Sequence, residues 1–148
     1  MADLTTTITE SVTLNGSLRG STNSVTQTSV IDVFERIVTC TQGQETTVAV
    51  FAASPYTSAG AIDQDRSKYI RITNLSTTED IEVAFVGSAT LYQVKIRAGY
   101  SHVLSEGVEI LLAEADTSPS FGTMADVASL QINPGGNAVA IELFIASV

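Results

Sequence analysis

The sequence predicts an all-β chain, an antiparallel β-sandwich of jelly-roll-like build, and three observations carry that expectation. Threonine, serine and β-branched residues recur along the whole chain, while Lys, Glu, Gln and Arg are sparse, which tilts local preference toward strand. Apolar and polar residues alternate with a period of two in many short runs. Turn sequences such as Asn15-Gly16 and Pro134-Gly135-Gly136 punctuate these runs, and no helical crossovers lie between them. Short strands so arranged fit an antiparallel sandwich, jelly roll or barrel.

The elements follow in order. Leu4, Ile8, Val12 and Leu14 share one parity and Thr5, Thr7, Thr9 and Thr13 the other, so Leu4 to Leu14 reads as one half-buried strand. Asn15-Gly16 is the strongest two-residue hairpin signal, and Arg19 to Asn23 adds further turn chemistry. From Val25 to Thr41, Ile31, Val33 and Ile37 oppose Val30, Phe34 and Val38 in parity, and a bulge or bend is expected to switch the buried face midway. Thr46 to Ala53 reads as a strand buried on both faces, and Ser54 to Asp65 as the longest surface loop. Lys68 to Leu75, Asp80 to Val86 and Leu91 to Arg97 then read as a meander. Ala98-Gly99-Tyr100 turns into Ser101 to Ser105, and Val108 to Ala115 is read as a strand despite its helix-favouring composition. Thr123 and Asp126 resemble a capping box, so one short helical turn is expected there. Val127 to Ile132, the turn Asn133 to Asn137 and Ala138 to Ala146 read as a C-terminal hairpin.

The 148 residues fit a single domain spanning 1–148. Hydrophobic residues make up 44% and charged residues 16%, a composition that folds. No apolar run nears the ~20 residues of a spanning helix, and the opening MADLTTTITE has neither the basic nor the apolar region of an export signal. A net charge of −9 disfavours nucleic acid and anionic membranes as partners, because both are bound through basic side chains. Cys40 is the lone cysteine, so no intrachain disulfide or Cys-based zinc site can form. It reads as a small apolar filler.

Residues able to carry chemistry are few. His102 is the one histidine; catalysis would need a serine and an acid beside it, and no Gly-x-Ser-x-Gly elbow occurs. Asp63-Gln64-Asp65 opens like a calcium loop, but Lys68 and Asn74 stand where such a loop needs Gly and Glu. Glu106, Glu109, Glu114 and Asp116 read as a solvated acidic rim, and Lys68, Arg71, Lys95 and Arg97 as ordinary surface charge. Tyr56, Tyr69, Tyr92 and Tyr100 could stack on sugars, Tyr56 in the long loop being best placed, although strand tyrosines more often pack. The sequence therefore gives no catalytic, metal or cofactor residue, and a non-enzymatic protein without cofactors is expected.

Tyr69-Ile70-Arg71-Ile72-Thr73-Asn74-Leu75, Ile81-Glu82-Val83 and Val94-Lys95-Ile96-Arg97-Ala98-Gly99-Tyr100-Ser101-His102-Val103-Leu104 form a pattern. It resembles that of small β-rich virion proteins of tailed bacteriophages, particularly marine ones, as do Leu14-Asn15-Gly16 and Arg36 to Thr39. The resemblance implies a capsid decoration or cement subunit located in the virion. The alternatives are a tail, neck or fibre-associated subunit and a glycan- or host-surface-binding module. It implies partners in copies of the chain itself, as a homo-oligomer for which a trimer is expected, and in the major capsid protein or other virion proteins. Residues 1–23, nearly uncharged and rich in threonine, are expected to form either an interaction arm able to add a strand to a neighbouring sheet or a plain edge strand within their own domain.

Overall fold

The computed structural model describes residues 1–54, 61–87, 91–105, 109–110 and 125–148. Ordered structure among these residues is strand and turn, without helix. The chain begins with β1 (Ala2–Thr9), β2 (Val12–Leu14), β3 (Ser17–Arg19) and β4 (Thr22–Val30). Then come β5 (Asp32–Cys40), β6 (Thr46–Ala52), β7 (Ile62–Asp63), β8 (Ser67–Asn74), β9 (Ile81–Gly87), β10 (Leu91–Ile96), β11 (Ser101–Ser105), β12 (Glu109–Ile110), β13 (Ala125–Asn133) and β14 (Val139–Ser147).

The body is built from β5 onward. One sheet runs β11-β8-β14-β5 and the other β10-β9-β13-β6, with β7 added in parallel beside β6 and β12 on β13. Take the eight long strands in chain order: the first pairs with the eighth, the second with the seventh, the third with the sixth and the fourth with the fifth, all antiparallel. This is one long ribbon doubled back and rolled up, closed by β14 on β8 and β13 on β9. That order is the jelly roll.

Alternation places the core. Val139, Ile141, Leu143 and Ile145 of β14, Ile70 and Ile72 of β8, and Ile81, Val83 and Phe85 of β9 all face the opposite sheet and are buried. Cys40 is buried among them, the apolar filler expected, and burial pushes its thiol pKa up. Two bulges explain where simple alternation fails. On β13 the register shifts between Val127 and Ser129, so Val127 and Leu130 both point inward. On β6 the register shifts opposite Leu130/Gln131, so the adjacent Val48 and Ala49 are both buried.

Several expectations are corrected. β8, β9 and β10 are not a meander: β8 lies in one sheet and β9–β10 in the other. β13 and β14 are not a hairpin, because the turn between them crosses from sheet to sheet. Asp126 to Leu130 belong to β13 and form no helical turn, while Thr123 lies outside the described residues. Thr46 to Ala53 is not buried on both faces throughout, since Val50 is exposed. Of Val108 to Ala115, β12 is described and is strand. The bend expected between Val25 and Thr41 falls at Ile31, where β4 leaves off and β5 enters the sheet.

Candidate functional site

Residues 2–30 form a two-stranded ribbon, and this is where the chain departs most from a closed body. β1 pairs with β4 from Ala2↔Val30 to Thr9↔Thr22, and β2 with β3 from Val12↔Arg19 to Leu14↔Ser17. The two halves are one continuous ladder, joined by the Glu10 N–H donating to the Ser21 carbonyl at 2.8 Å. Asn15 and Gly16 cap it with φ of 51° and 78°, the doubly left-handed turn whose twist matches a hairpin. Gly20 sits where a β-carbon would overlap the Glu10 carbonyl oxygen, so only glycine lets the strands stay close at mid-ribbon. At about 3.4 Å per residue the ribbon is roughly 40 Å long.

Pairing sets which side chains share a face. Thr5–Thr26, Thr7–Ser24 and Thr9–Thr22 form hydroxyl pairs at 3.2, 2.9 and 3.3 Å along one side. The other side carries Leu4, Thr6, Ile8, Val12 and Leu14, with Val25 and Arg19 across from Thr6 and Val12. The expected half-buried strand from Leu4 to Leu14 is therefore two strands, broken at Glu10–Ser11, and most of its apolar face is bare. Leu4 is partly buried, whereas Ile8, Val12, Leu14 and Val25 are 53–60% exposed. Arg19 to Asn23 is not a second tight turn but the return strand, and the ribbon extends past Asn23 to Val30.

The root of the ribbon is fixed on the outer face of the β8–β14 sheet. Val30, Tyr69 and Ala146 are buried together there, with Leu4, Phe144 and Val148 against them. Tyr69 meets Phe144 edge to face at 5.9 Å, and the Ile31 N–H donates to the Ser147 carbonyl at 2.9 Å. A bulge interrupts the pairing at the base, with Ser29 at φ 65° and its N–H 3.4 Å from an Asp3 carboxylate oxygen. Beside it Arg71 donates to Glu142 at 2.9 Å and to Thr73 at 2.6 Å, and lies over the Phe144 ring. The Arg71 hydrogen bond holds the Glu142 carboxyl below the usual carboxylate range. Past Thr7 the ribbon is exposed, while farther along the same sheet Val33 and Ile37 of β5 and Val103 of β11 are exposed too.

The other candidate residues stand apart. His102 lies between Phe85 and Tyr92, 5.7 and 5.9 Å between ring centres. Its Nε2 is buried without a partner among the described residues, and burial lowers its pKa. Asp63 accepts from the Asp65 N–H at 3.1 Å and faces Arg66 at 3.4 Å, so its carboxylate shapes a turn. No group of three or more His, Cys, Asp or Glu able to hold a metal occurs among the described residues. Arg71 and Lys95 fall in different sheets, Lys95 against Asp80 at 3.7 Å. Tyr69 packs, Tyr92 stacks on Phe85, Tyr100 is exposed, and Tyr56, Glu106, Glu114 and Asp116 lie outside the described residues.

Asn74 and Gly99, from the resembling segments, form a staple. Asn74 is fully buried; its amide nitrogen donates to the Glu79 and Ile96 carbonyls at 2.8 and 3.2 Å, and its oxygen accepts from the Ser76 N–H at 3.0 Å. The Gly99 N–H, in a turn at φ 77°, donates to the Asn74 carbonyl. Compared with known proteins, the chain matches no family model, no curated protein and no solved structure.

Proposed function

We propose that the chain is a structural subunit of a bacteriophage particle, a decoration or cement protein of the head that works as a homo-oligomer, a trimer by expectation, against the major capsid protein. The single observation that carries this reading is the rooted ribbon whose apolar side chains beyond Leu4, namely Ile8, Val12 and Leu14, are exposed and meet no covering layer among the described residues. A face of that kind is a contact surface awaiting another protein. The jelly-roll body supports the reading by analogy of fold, since jelly rolls recur in capsid domains. The phage-like segments add a second, independent analogy. Asn74 and Gly99 within them hold loops together, which suits a chain selected for a stable scaffold.

Mass spectrometry of purified phage particles that encode the chain tests the reading. Many copies per particle are expected, with immunogold label over the head. Label over the tail would move the subunit to the tail, neck or fibre. Absence from purified particles would overturn the proposal.

A further inference from the structure

We infer that the distal half of the ribbon docks, face to face, on the outer sheet of a second copy of this chain, over Val33 and Ile37 of its β5. The inference rests on the reading of the chain as an assembly subunit and names the partner of its arm. The root already displays the contact in miniature, because Leu4 is seated on the outer face of the β8–β14 sheet. Ile8, Val12 and Leu14 continue the same side of the ribbon but have run off their own body. The sheet in turn leaves Ile31, Val33 and Ile37 uncovered along β5, one strand over from the seat of Leu4. The strip that lacks a surface and the surface that lacks a cover are both apolar β faces interrupted by one carboxylate, Glu10 between Ile8 and Val12 and Glu35 between Val33 and Ile37.

Spacing and charge fit as well. Ile8 and Val12 are four residues apart, as are Val33 and Ile37, so each pair spans about 13 Å along an extended strand. Two β layers packed face to face with nearly aligned strands would interdigitate them. Arg19, the one basic residue in the ribbon, shares the apolar side with Val12, and Glu35 lies on the outer side of β5 between Val33 and Ile37. The ribbon carries −1 of the total −9, from Asp3 and Glu10 against Arg19, so it can approach an acidic body that another body would repel. In projection, the segment from Ile8 to Leu14 and its return strand offers on the order of 250 Å². Two reciprocal arms and their seats would bury about 1,000 Å² in all, the lower limit for a specific interface.

Sedimentation equilibrium of the full chain, without any phage component, tests this. The wild-type chain should self-associate reversibly. Val12→Glu with Leu14→Glu should weaken that association about tenfold or more, because carboxylates would enter an apolar contact unpaired. Ile37→Lys on the receiving face should do the same, and thermal melts should show both bodies still folded. A mixture of the two variants should associate more strongly than either variant alone, since one of the two reciprocal contacts then joins an intact arm to an intact seat. A wild-type chain that stays monomeric at millimolar concentration would overturn the inference, as would association unchanged in both variants or a mixture that associates no more strongly than either variant alone. Because the assay contains no particle, it can fail while the chain is still found in virions, and the reverse.

Discussion

The ribbon and the body are written in the same alternating aliphatic and hydroxyl residues, yet their apolar side chains meet opposite fates. Leu143 in β14 is 0% exposed, while Leu14 in β2 is 60% exposed. The difference is a second layer. Each body strand has the opposite sheet behind its apolar face, and burial in β structure requires such a layer. The ribbon has two strands that stand exposed past Thr7. Such a ribbon is marginal alone in water and here is held by its left-handed turn, its hydroxyl pairs and its root on Tyr69 and Phe144. Alternation thus reveals that a face is suited to burial without revealing which molecule buries it.

The comparison breaks most sharply under one truncation made twice. Leu143→Ala should destabilise the body by about 2–5 kcal/mol. Leu14→Ala should change stability by no more than about 0.5 kcal/mol. Urea unfolding followed by circular dichroism measures both, and similar losses would mean that the ribbon is packed as a core element. A smaller loss, about 1–3 kcal/mol, is expected for Asn74→Ala, which leaves the Glu79 and Ile96 carbonyls facing a void. Because the staple lies in the body, self-association of the folded fraction should be untouched.

The smallest effect is a pH dependence confined to the body. Burial holds His102 below its usual pKa of 6.5, so the unfolded chain takes up the proton first. Stability is then undiminished above pH 6.5 and declines as the pH falls below it, until the folded imidazole itself titrates. His102→Phe, which keeps a ring beside Phe85 and Tyr92, should flatten the curve just below pH 6.5. Urea midpoints at pH 7.5 and pH 5.5 for the two proteins decide the matter, and an unchanged difference would assign the slope to other groups. Glu142, held low by Arg71, adds a separate loss at more acid pH as it is protonated.

Strand positions were legible because period two survives in short windows: Ile81, Val83 and Phe85 face the core as their spacing requires. The Asn15-Gly16 turn was legible for an equally local reason. Sheet membership was not, since the polar stretch from Leu75 to Asp80 reads alike whether it joins neighbours or carries the chain from one sheet to the other. The helical turn expected near Asp126 rests on the Thr123–Asp126 capping pattern, and Asp126 lies instead in β13, which carries a bulge. The bulge turns Val127 and Leu130 to one side, imitating the i, i+3 spacing of a helix. A distinct N-terminal segment ending at Asn23 is expected from its low charge and threonine alternation, and the structure has a paired ribbon there. Its length to Val30 was hidden because Gly20, Ser21 and Asn23 read as turn formers where the return strand in fact runs through, and the exposure of Ile8 and Val12 depends on a layer that no local pattern specifies.

The nested order of the roll also sets a timetable for synthesis. Its first strand, β5, finds its partner only in β14, the last, so the body cannot close until the chain has been made through Ser147. The ribbon's own strand pairing needs nothing beyond Val30, although its root on Tyr69 and Phe144 forms only with the body, and hairpins zip in about 1–10 μs. At a ribosomal pace of about 5–20 residues per second, the remaining residues take roughly 6–24 seconds. For that interval a nascent chain can form and re-form the ribbon, with bare Ile8, Val12 and Leu14, while there is no finished seat to receive it. Chains growing side by side on one message can therefore meet by their ribbons before any of them has a body.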